Sequence, residues 1–252
     1  MGEILRLEDV KKYFGGVRAV DGVSFSLEEG SLVGLIGPNG SGKTTLFNVI
    51  SGVYKPDSGR IYFKGERIDG LEPHEIFAKG IVRSFQVPRL FQGMTVVENV
   101  MLVPPNQVGE VVYNAPIHRR WRGQELSLAE KALDILDKHL LAPVGLNWST
   151  DISGGQMKIL EVCRTLMVKP ELFLLDEPTA GVAPKLARDI LKTISALRDE
   201  YGFTFFIIEH RLEILFDFVE RVLVMDRGKI ISDGTPEEVT KDPRVIEAYL
   251  GG

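Results

Sequence analysis

The chain has 252 residues, 44% apolar and 26% charged, which suits one large domain or a core with a second lobe and excludes a disordered, collagenous or disulfide-built protein. Its 30 basic and 35 acidic residues leave a net charge of -5, so no global field draws it to nucleic acid or an anionic membrane, and any phosphate must be held locally. The single cysteine, Cys163, cannot close an internal disulfide, the Met1-Gly2-Glu3-Ile4 start is neither basic nor apolar like a leader, and no apolar run approaches the ~20 residues of a membrane span, so the expectation is a cytoplasmic chain that reaches a membrane only through a partner.

In chain order, residues 4–10, 23–27 and 61–63 carry the pattern of short strands, and with 222–225 and 229–232 they are expected to build a mixed or antiparallel layer. Residues 31–36 form an apolar strand that runs into Gly37 and, past Gly40 and Gly42, into a helix with Leu46, Phe47, Val49 and Ile50 at helical spacing. Strand-length apolar runs recur at 81–85, 172–175 and 203–208. The last two are separated by a helical pattern with Pro184 in its first turn, Ala187, Ile190, Leu191, Ile194 and Leu197 on one face, and a stop near Gly202. Short apolar strands alternating with crossover helices predict a buried parallel sheet.

Between about residues 95 and 166 helical patterns take over. Thr95-Val-Val-Glu98 and Ser127-Leu-Ala-Glu130 each fit a capping box, and Leu128, Ala132, Ile135, Leu136 and Leu140 line one helical face. The opening stretch, 104–123, is rich in turn formers and holds His118-Arg119-Arg120-Trp121-Arg122, which reads as a solvated surface loop, with a contact to a partner or lipid headgroups as the alternative. Thr235-Pro236-Glu237-Glu238 is a further capping box, and Asp242-Pro243 opens a last short helix. The expected division is a sheet core over 1–92 and 167–232, an inserted helical lobe over 93–166 and a helical tail over 233–252.

Gly37-Pro38-Asn39-Gly40-Ser41-Gly42-Lys43-Thr44-Thr45 satisfies G-x-x-x-x-G-K-[ST] directly between a strand and a helix. Glycines let consecutive amides curl around an anion, the helix N-terminus adds partial positive charge, Lys43 reaches the outer phosphates and Thr44 offers a hydroxyl to Mg²⁺. Asp176 and Glu177 end an apolar strand, where an acid can hold Mg²⁺ and its neighbour can polarise an attacking water; alone they would read as exposed acids capping a turn, but the phosphate loop upstream favours the chemical role. Ile152-Ser153-Gly154-Gly155-Gln156 opens another helix, either a second anion site or an ordinary cap. Cys163 falls on that helix's apolar face and is expected in the core.

The order phosphate loop, Phe85-Gln86, Ile152-Ser-Gly-Gly-Gln156, Asp176-Glu177, Ile208-Glu209-His210 resembles the nucleotide-binding subunit of ABC transporters over essentially the whole chain. The resemblance implies a P-loop NTPase cassette of α/β class and an ATPase using ATP and Mg²⁺. It also implies a head-to-tail pair of cassettes, alike or different, with ATP between the Lys43 loop of one and the Ser153 segment of the other. It gives Gln86 a contact to Mg²⁺ or the attacking water, His210 a contact to the γ-phosphate, and Phe14 the adenine stack, with Tyr13 as fallback. The implied partners are two transmembrane permeases and, through them, a substrate-binding protein at the outer side, with no nucleic acid; the implied place is the cytoplasmic face of the membrane.

Two positions depart from the family pattern: Ile152 stands where leucine is usual, a volume-conserving change, and Ala183 stands where an aspartate usually signals across the dimer. Val82-Arg83-Ser84-Phe85-Gln86, Arg89-Leu90-Phe91, Met94-Thr95-Val96-Val97-Glu98-Asn99-Val100, the Ala180-Gly181-Val182-Ala183-Pro184 run and the tail from Asp242 to Gly251 are similar to the ATPases of branched-chain amino-acid importers, with the ATPase of lipopolysaccharide export as a near relative. A non-transport cassette ATPase, a nucleotide-gated module without hydrolysis and a small P-loop kinase are the rival readings; the kinase leaves the Ser153 segment unexplained.

Overall fold

The computed structural model describes residues 2–83, 90–168 and 170–250. It divides into two compact units, residues 1–86 with 171–252, and residues 87–170. The inserted unit is therefore bounded a few residues outside the expected 93–166, and the tail belongs to the first unit.

In the first unit, β1 (Glu3–Phe14), β2 (Val17–Glu28), β4 (Ser58–Phe63) and β5 (Glu66–Arg67) form an antiparallel sheet in the order β2-β1-β4-β5. A second sheet runs β10-β9-β3-β8-β7-β6, built from β3 (Leu32–Ile36), β6 (Ile81–Arg83), β7 (Leu172–Asp176), β8 (Thr204–Ile208), β9 (Arg221–Asp226) and β10 (Lys229–Gly234). All its pairings are parallel except β9 with β10. Every residue of β3, β7 and β8 is buried, as expected of central parallel strands covered on both faces, which is why they read as continuous apolar runs. Residues 222–225 and 229–232 thus extend the parallel core's own sheet; β9 lies directly beside β3 because parallel pairing is set by crossovers that leave no local mark in the sequence.

Helix α1 (Lys43–Ile50) turns Leu46, Phe47, Val49 and Ile50 inward, and the Phe47 ring meets Phe206 of β8 at 5.1 Å. Phe206 also meets Phe25 of β2 at 5.5 Å, so a chain of aromatic rings joins α1 and the two sheets in one core. Helix α2 (Pro73–Ala78) starts at a capping box made by Glu72 and Glu75. Helix α6 (Pro184–Tyr201) buries Ala187, Ile190, Leu191, Ile194 and Leu197 and ends on Gly202 at φ 71°, a left-handed terminus that glycine supplies without a Cβ clash. The short α7 (Leu212–Leu215) follows β8, and α8 (Pro236–Lys241) and α9 (Pro243–Leu250) close the tail, α8 beginning at the Thr235 capping box.

The second unit holds α3 (Val96–Met101), α4 (His118–Lys138) and α5 (Gly154–Leu166) around Val96, Val100, Ala132, Leu136, Leu160 and Cys163. Burial pushes the Cys163 thiol up to about 12, so it is a neutral core side chain. Asn99, fully buried, accepts from the Phe91 amide at 2.9 Å and donates to the carbonyls of Phe91 and Thr95 at 3.0 Å each, satisfying both ends of its amide.

Two expectations fail in α4. Residues 118–122 are its first turns, and Ser127 lies inside it, so Ser127 caps nothing. Arg, Trp, Gln and Glu sustain a helix across the single Gly123, beside which no atom approaches within 4 Å of a would-be Cβ.

Candidate functional site

The residues with chemical promise in the first unit gather at the carboxyl ends of adjacent strands. Register places Asp176 of β7 opposite Ile208 of β8, and Ile208 opposite Leu35 of β3, so the Gly37 loop, the Asp176-Glu177 pair and the Glu209-His210 pair all leave the sheet at one level. Such a crevice beyond the carboxyl edge is where open α/β sheets bind ligands. A cleft of about 390 Å³ there is lined by Phe14, Asn39, Gly40, Gly42, Lys43, Thr44, Thr45, Glu177 and His210, with Val17, Arg18 and Ala19.

The loop is held from behind. Gly42 sits at φ 107°, and a Cβ there would lie 2.0 Å from the Ala19 carbonyl oxygen; one on Gly37 would lie 2.0 Å from that of Met225. Only glycine fits between loop and wall at those two positions. Ser41 is buried, accepts through its carbonyl from the Gly228 amide at 2.9 Å, and its own amide donates to Pro38 at 3.2 Å. On the outer side Pro38, Asn39, Gly40 and Ser41 face Arg244, Glu247 and Ala248 around α9, and burial pushes the Tyr249 hydroxyl up against a hydrogen bond with the Gly37 backbone.

The buried Lys43 ammonium donates to the carbonyls of Gly37 at 2.8 Å and Pro38 at 2.9 Å and to the Ser41 hydroxyl at 3.3 Å. Burial lowers its pKa, and the charges of Glu177 and Asp176 work the other way. An arriving phosphate offers this cation a charged acceptor in place of neutral carbonyls, a stronger hydrogen bond.

Asp176 is buried and its pKa is raised by that burial, with Arg83 the main opposing influence. Arg83 Nη2 lies 3.2 Å from Asp176 Oδ2, and its Nη1 donates to Asn48 on α1. Glu177 follows at φ 52°, an uncommon conformation for a residue with a Cβ, held by its amide's bond to the Ile208 carbonyl at 2.9 Å and by the Ala180 amide on its own carbonyl at 3.0 Å. That turn aims the carboxylate at His210, whose Nε2 is 3.0 Å from Glu177 Oε1.

Behind the dyad, the Glu209 carboxylate is only 3% exposed and accepts from the Thr179 amide at 2.8 Å, the Thr179 hydroxyl at 2.6 Å and the His210 amide at 3.1 Å. One buried carboxylate thus ties the turn after Glu177 to the loop carrying His210. Truncating Glu209→Ala leaves three donors without their acceptor, at a cost of about 2–4 kcal/mol in a urea unfolding measurement. It is also expected to lower turnover more than nucleotide affinity, since the residues lining the cleft with Lys43 and Thr44 include His210 and not Glu209.

Phe14 is 43% exposed on the cleft, flanked edge-on by Tyr54 at 5.2 Å and by the Lys12 ammonium at 5.5 Å. Tyr13 turns away, its hydroxyl donating to Asp21 at 2.7 Å. In the second unit Ser153 caps α5: its hydroxyl accepts from the Gln156 amide at 3.3 Å and its amide donates to Gln156 Oε1 at 2.8 Å, with Gly154 exposed and Gly155 buried at the helix start. Gln86 lies outside the described residues, as do Phe85 and Arg89.

Compared with known proteins, the model of the ABC transporter family matches residues 20–180, a span containing the phosphate loop, the Ser153 segment and Asp176-Glu177. The chain belongs to the ABC transporter family. A second family model, of the branched-chain amino acid ATP-binding cassette transporter, matches residues 229–252 of this ABC cassette. Among curated relatives, a probable branched-chain amino acid transport ATP-binding protein of Methanocaldococcus jannaschii is 45% identical, covering 99% of this chain and 98% of its own. A high-affinity branched-chain amino acid transport ATP-binding protein of Pseudomonas aeruginosa is 38% identical, covering 98% of each chain. Among solved structures, a nucleotide-free ATP-binding cassette from an ABC transporter superposes with a TM-score of 0.86 at 43% identity over 100% of both chains. A cassette in its ADP conformation superposes with a TM-score of 0.86 at 42% identity, again over 100% of both. The cassette is an ATP-hydrolysing transporter ATPase.

Arg83 and Glu209 carry no site role in the sequence reading. The available sign was a charged residue at the end of an otherwise apolar strand, which the fold either neutralises or uses.

Proposed function

We propose that this ABC cassette powers import of branched-chain or related amino acids, as one of two cassettes beneath a pair of membrane permeases that receive substrate from a binding protein. The observation that carries the catalytic part is the Glu177–His210 pair, 3.0 Å apart on the cleft that Lys43 and Thr44 line. Glu177 polarises the attacking water, His210 orients Glu177 and contacts the γ-phosphate, Lys43 neutralises charge on the outer phosphates, and Phe14 stacks on the base. The remaining loop amides, from Gly37 to Thr45, orient the phosphates, and the Ser153–Gln156 helix start of the second cassette completes the sandwich.

Hard oxygen donors suit Mg²⁺, and the Thr44 hydroxyl and the buried Asp176 carboxylate supply them, with Gln86 as a further ligand. When bound, Mg²⁺ neutralises charge on the outer phosphates. Arg83 holds Asp176 in place from behind through the 3.2 Å ion pair.

Support for the transported class comes from the curated relatives' names and from the tail match over residues 229–252. Among the described residues no helix is long and apolar enough to cross a membrane, so the membrane path in this reading belongs to the permeases, with the cassette on their cytoplasmic side. The test is reconstitution with the two permeases and the binding protein in vesicles loaded with ATP. Leucine accumulation that requires the cassette is expected, and hydrolysis with no leucine, isoleucine or valine uptake would move the assignment to another cargo.

A further inference from the structure

The stretch from Val111 to Arg122 is not used by the catalytic account. It exposes Val111 at 41%, Val112 at 81%, Tyr113 at 78% and Ile117 at 41%. Arg119, Arg120 and Arg122 follow in the first turns of α4, also exposed, and no carboxylate lies between Val111 and Arg122. Among the described residues none of the three arginines has an ion-pair partner. This is a local concentration of positive charge and unpaired apolar surface on a chain whose net charge is -5.

The tip is built, not merely extruded. The Trp121 indole donates to the Ala115 carbonyl at 3.1 Å and its ring meets that of His118 at a tilt, centroids 4.3 Å apart. Arg120 donates to Asn114 at 2.7 Å, and Gln124 accepts from the Val108 amide at 2.7 Å. These bonds fasten the 108–117 segment onto the start of α4 while leaving the aliphatic side chains outside. Leu126, one heptad after Arg119 and therefore on nearly the same helical face, is 57% exposed and extends the apolar surface.

We infer that Val111, Val112, Tyr113 and Ile117, flanked by Arg119 and Arg122, form a contact surface for an anionic lipid bilayer. Aliphatic and tyrosine side chains enter the headgroup boundary while arginines meet lipid phosphates, the combination that interfacial segments use. Charge chooses this occupant over the alternatives. Cytoplasmic loops of membrane proteins carry excess Lys and Arg and would repel three arginines, and a second copy of the same patch would do likewise. A nucleic acid would satisfy the arginines but gives adjacent valines nothing to bury against. The inference rests on the transporter reading only in placing the chain beside a membrane.

The test is co-sedimentation of the full chain with vesicles of phosphatidylcholine alone and of phosphatidylcholine with phosphatidylglycerol, at low and high salt. Binding to the anionic vesicles that weakens with salt is expected. Arg119→Glu/Arg122→Glu and Val112→Asp/Tyr113→Asp should each reduce the bound fraction about tenfold or more, with phosphate release in solution unchanged. Equal binding to neutral vesicles, or full binding by both variants, would overturn the inference. So would variants that bind vesicles normally and fail only when permeases are present, since the surface would then be a protein contact. A chain that sediments as expected but releases no phosphate would contradict the ATPase reading and leave the lipid surface standing.

Discussion

Glu177→Gln is expected to reduce ATP turnover by about 10²–10⁴-fold, the usual worth of a positioned general base, while nucleotide affinity stays close to wild type. The substitution keeps the side-chain shape and the hydrogen-bonding backbone that hold Glu177 at φ 52°, so the turn survives and only the charge is lost. Its amide remains within reach of His210 Nε2, 3.0 Å from the present carboxylate oxygen. Binding without hydrolysis should then accumulate ATP-bound pairs of cassettes, visible as a doubled mass by light scattering with ATP and not with ADP. Turnover at the native rate in this variant would remove Glu177 from the role of base.

Lys43→Ala is expected to weaken ATP binding by about 10–100-fold in calorimetry, equivalent to the ~1.5–3 kcal/mol of a hydrogen bond to a charged group. The same change should cost the nucleotide-free fold little. The ammonium is buried among the neutral carbonyls of Gly37 and Pro38, and its pKa is lowered by that burial. Removing it gives up those hydrogen bonds but also relieves a buried charge. A variant that unfolds much earlier in urea, with ATP affinity unchanged, would make Lys43 a structural residue and not a phosphate ligand.

Where sequence and fold agree, the information was local. Pro184 and Gly202 delimit α6 because a missing amide suits a first turn and a missing Cβ suits a left-handed end. Thr95, Ser153 and Thr235 cap helices for the same short-range reason. Ser127 carries the same S-x-x-E pattern and lies inside α4, since nothing in four residues says whether a helix has already begun upstream. The turn-rich look of 104–123 hid the first turns of that helix.

Long-range features were less legible. That residues 222–225 pair in parallel with β3 is a fact of crossover topology, and the strand pattern alone groups them with the mixed or antiparallel layer. The chemical site divides the same way. The loop and the Asp176-Glu177 pair are legible from residue types at fixed spacing, and His210 from the family resemblance. Arg83 and Glu209 are defined by what they meet after folding: Asp176 lies 93 positions from Arg83, and Thr179 lies 30 from Glu209. Their roles emerge only when adjacent strands bring those partners together.

Phosphate release by the isolated chain, followed across a range of protein concentrations with Mg²⁺ and ATP, tests the central claim most directly. Two cassettes enclosing ATP require the rate per chain to rise with concentration as pairs form, and the Glu177→Gln chain to stay silent at every concentration. A rate per chain independent of concentration, undiminished by Glu177→Gln, would contradict both the paired site and its base.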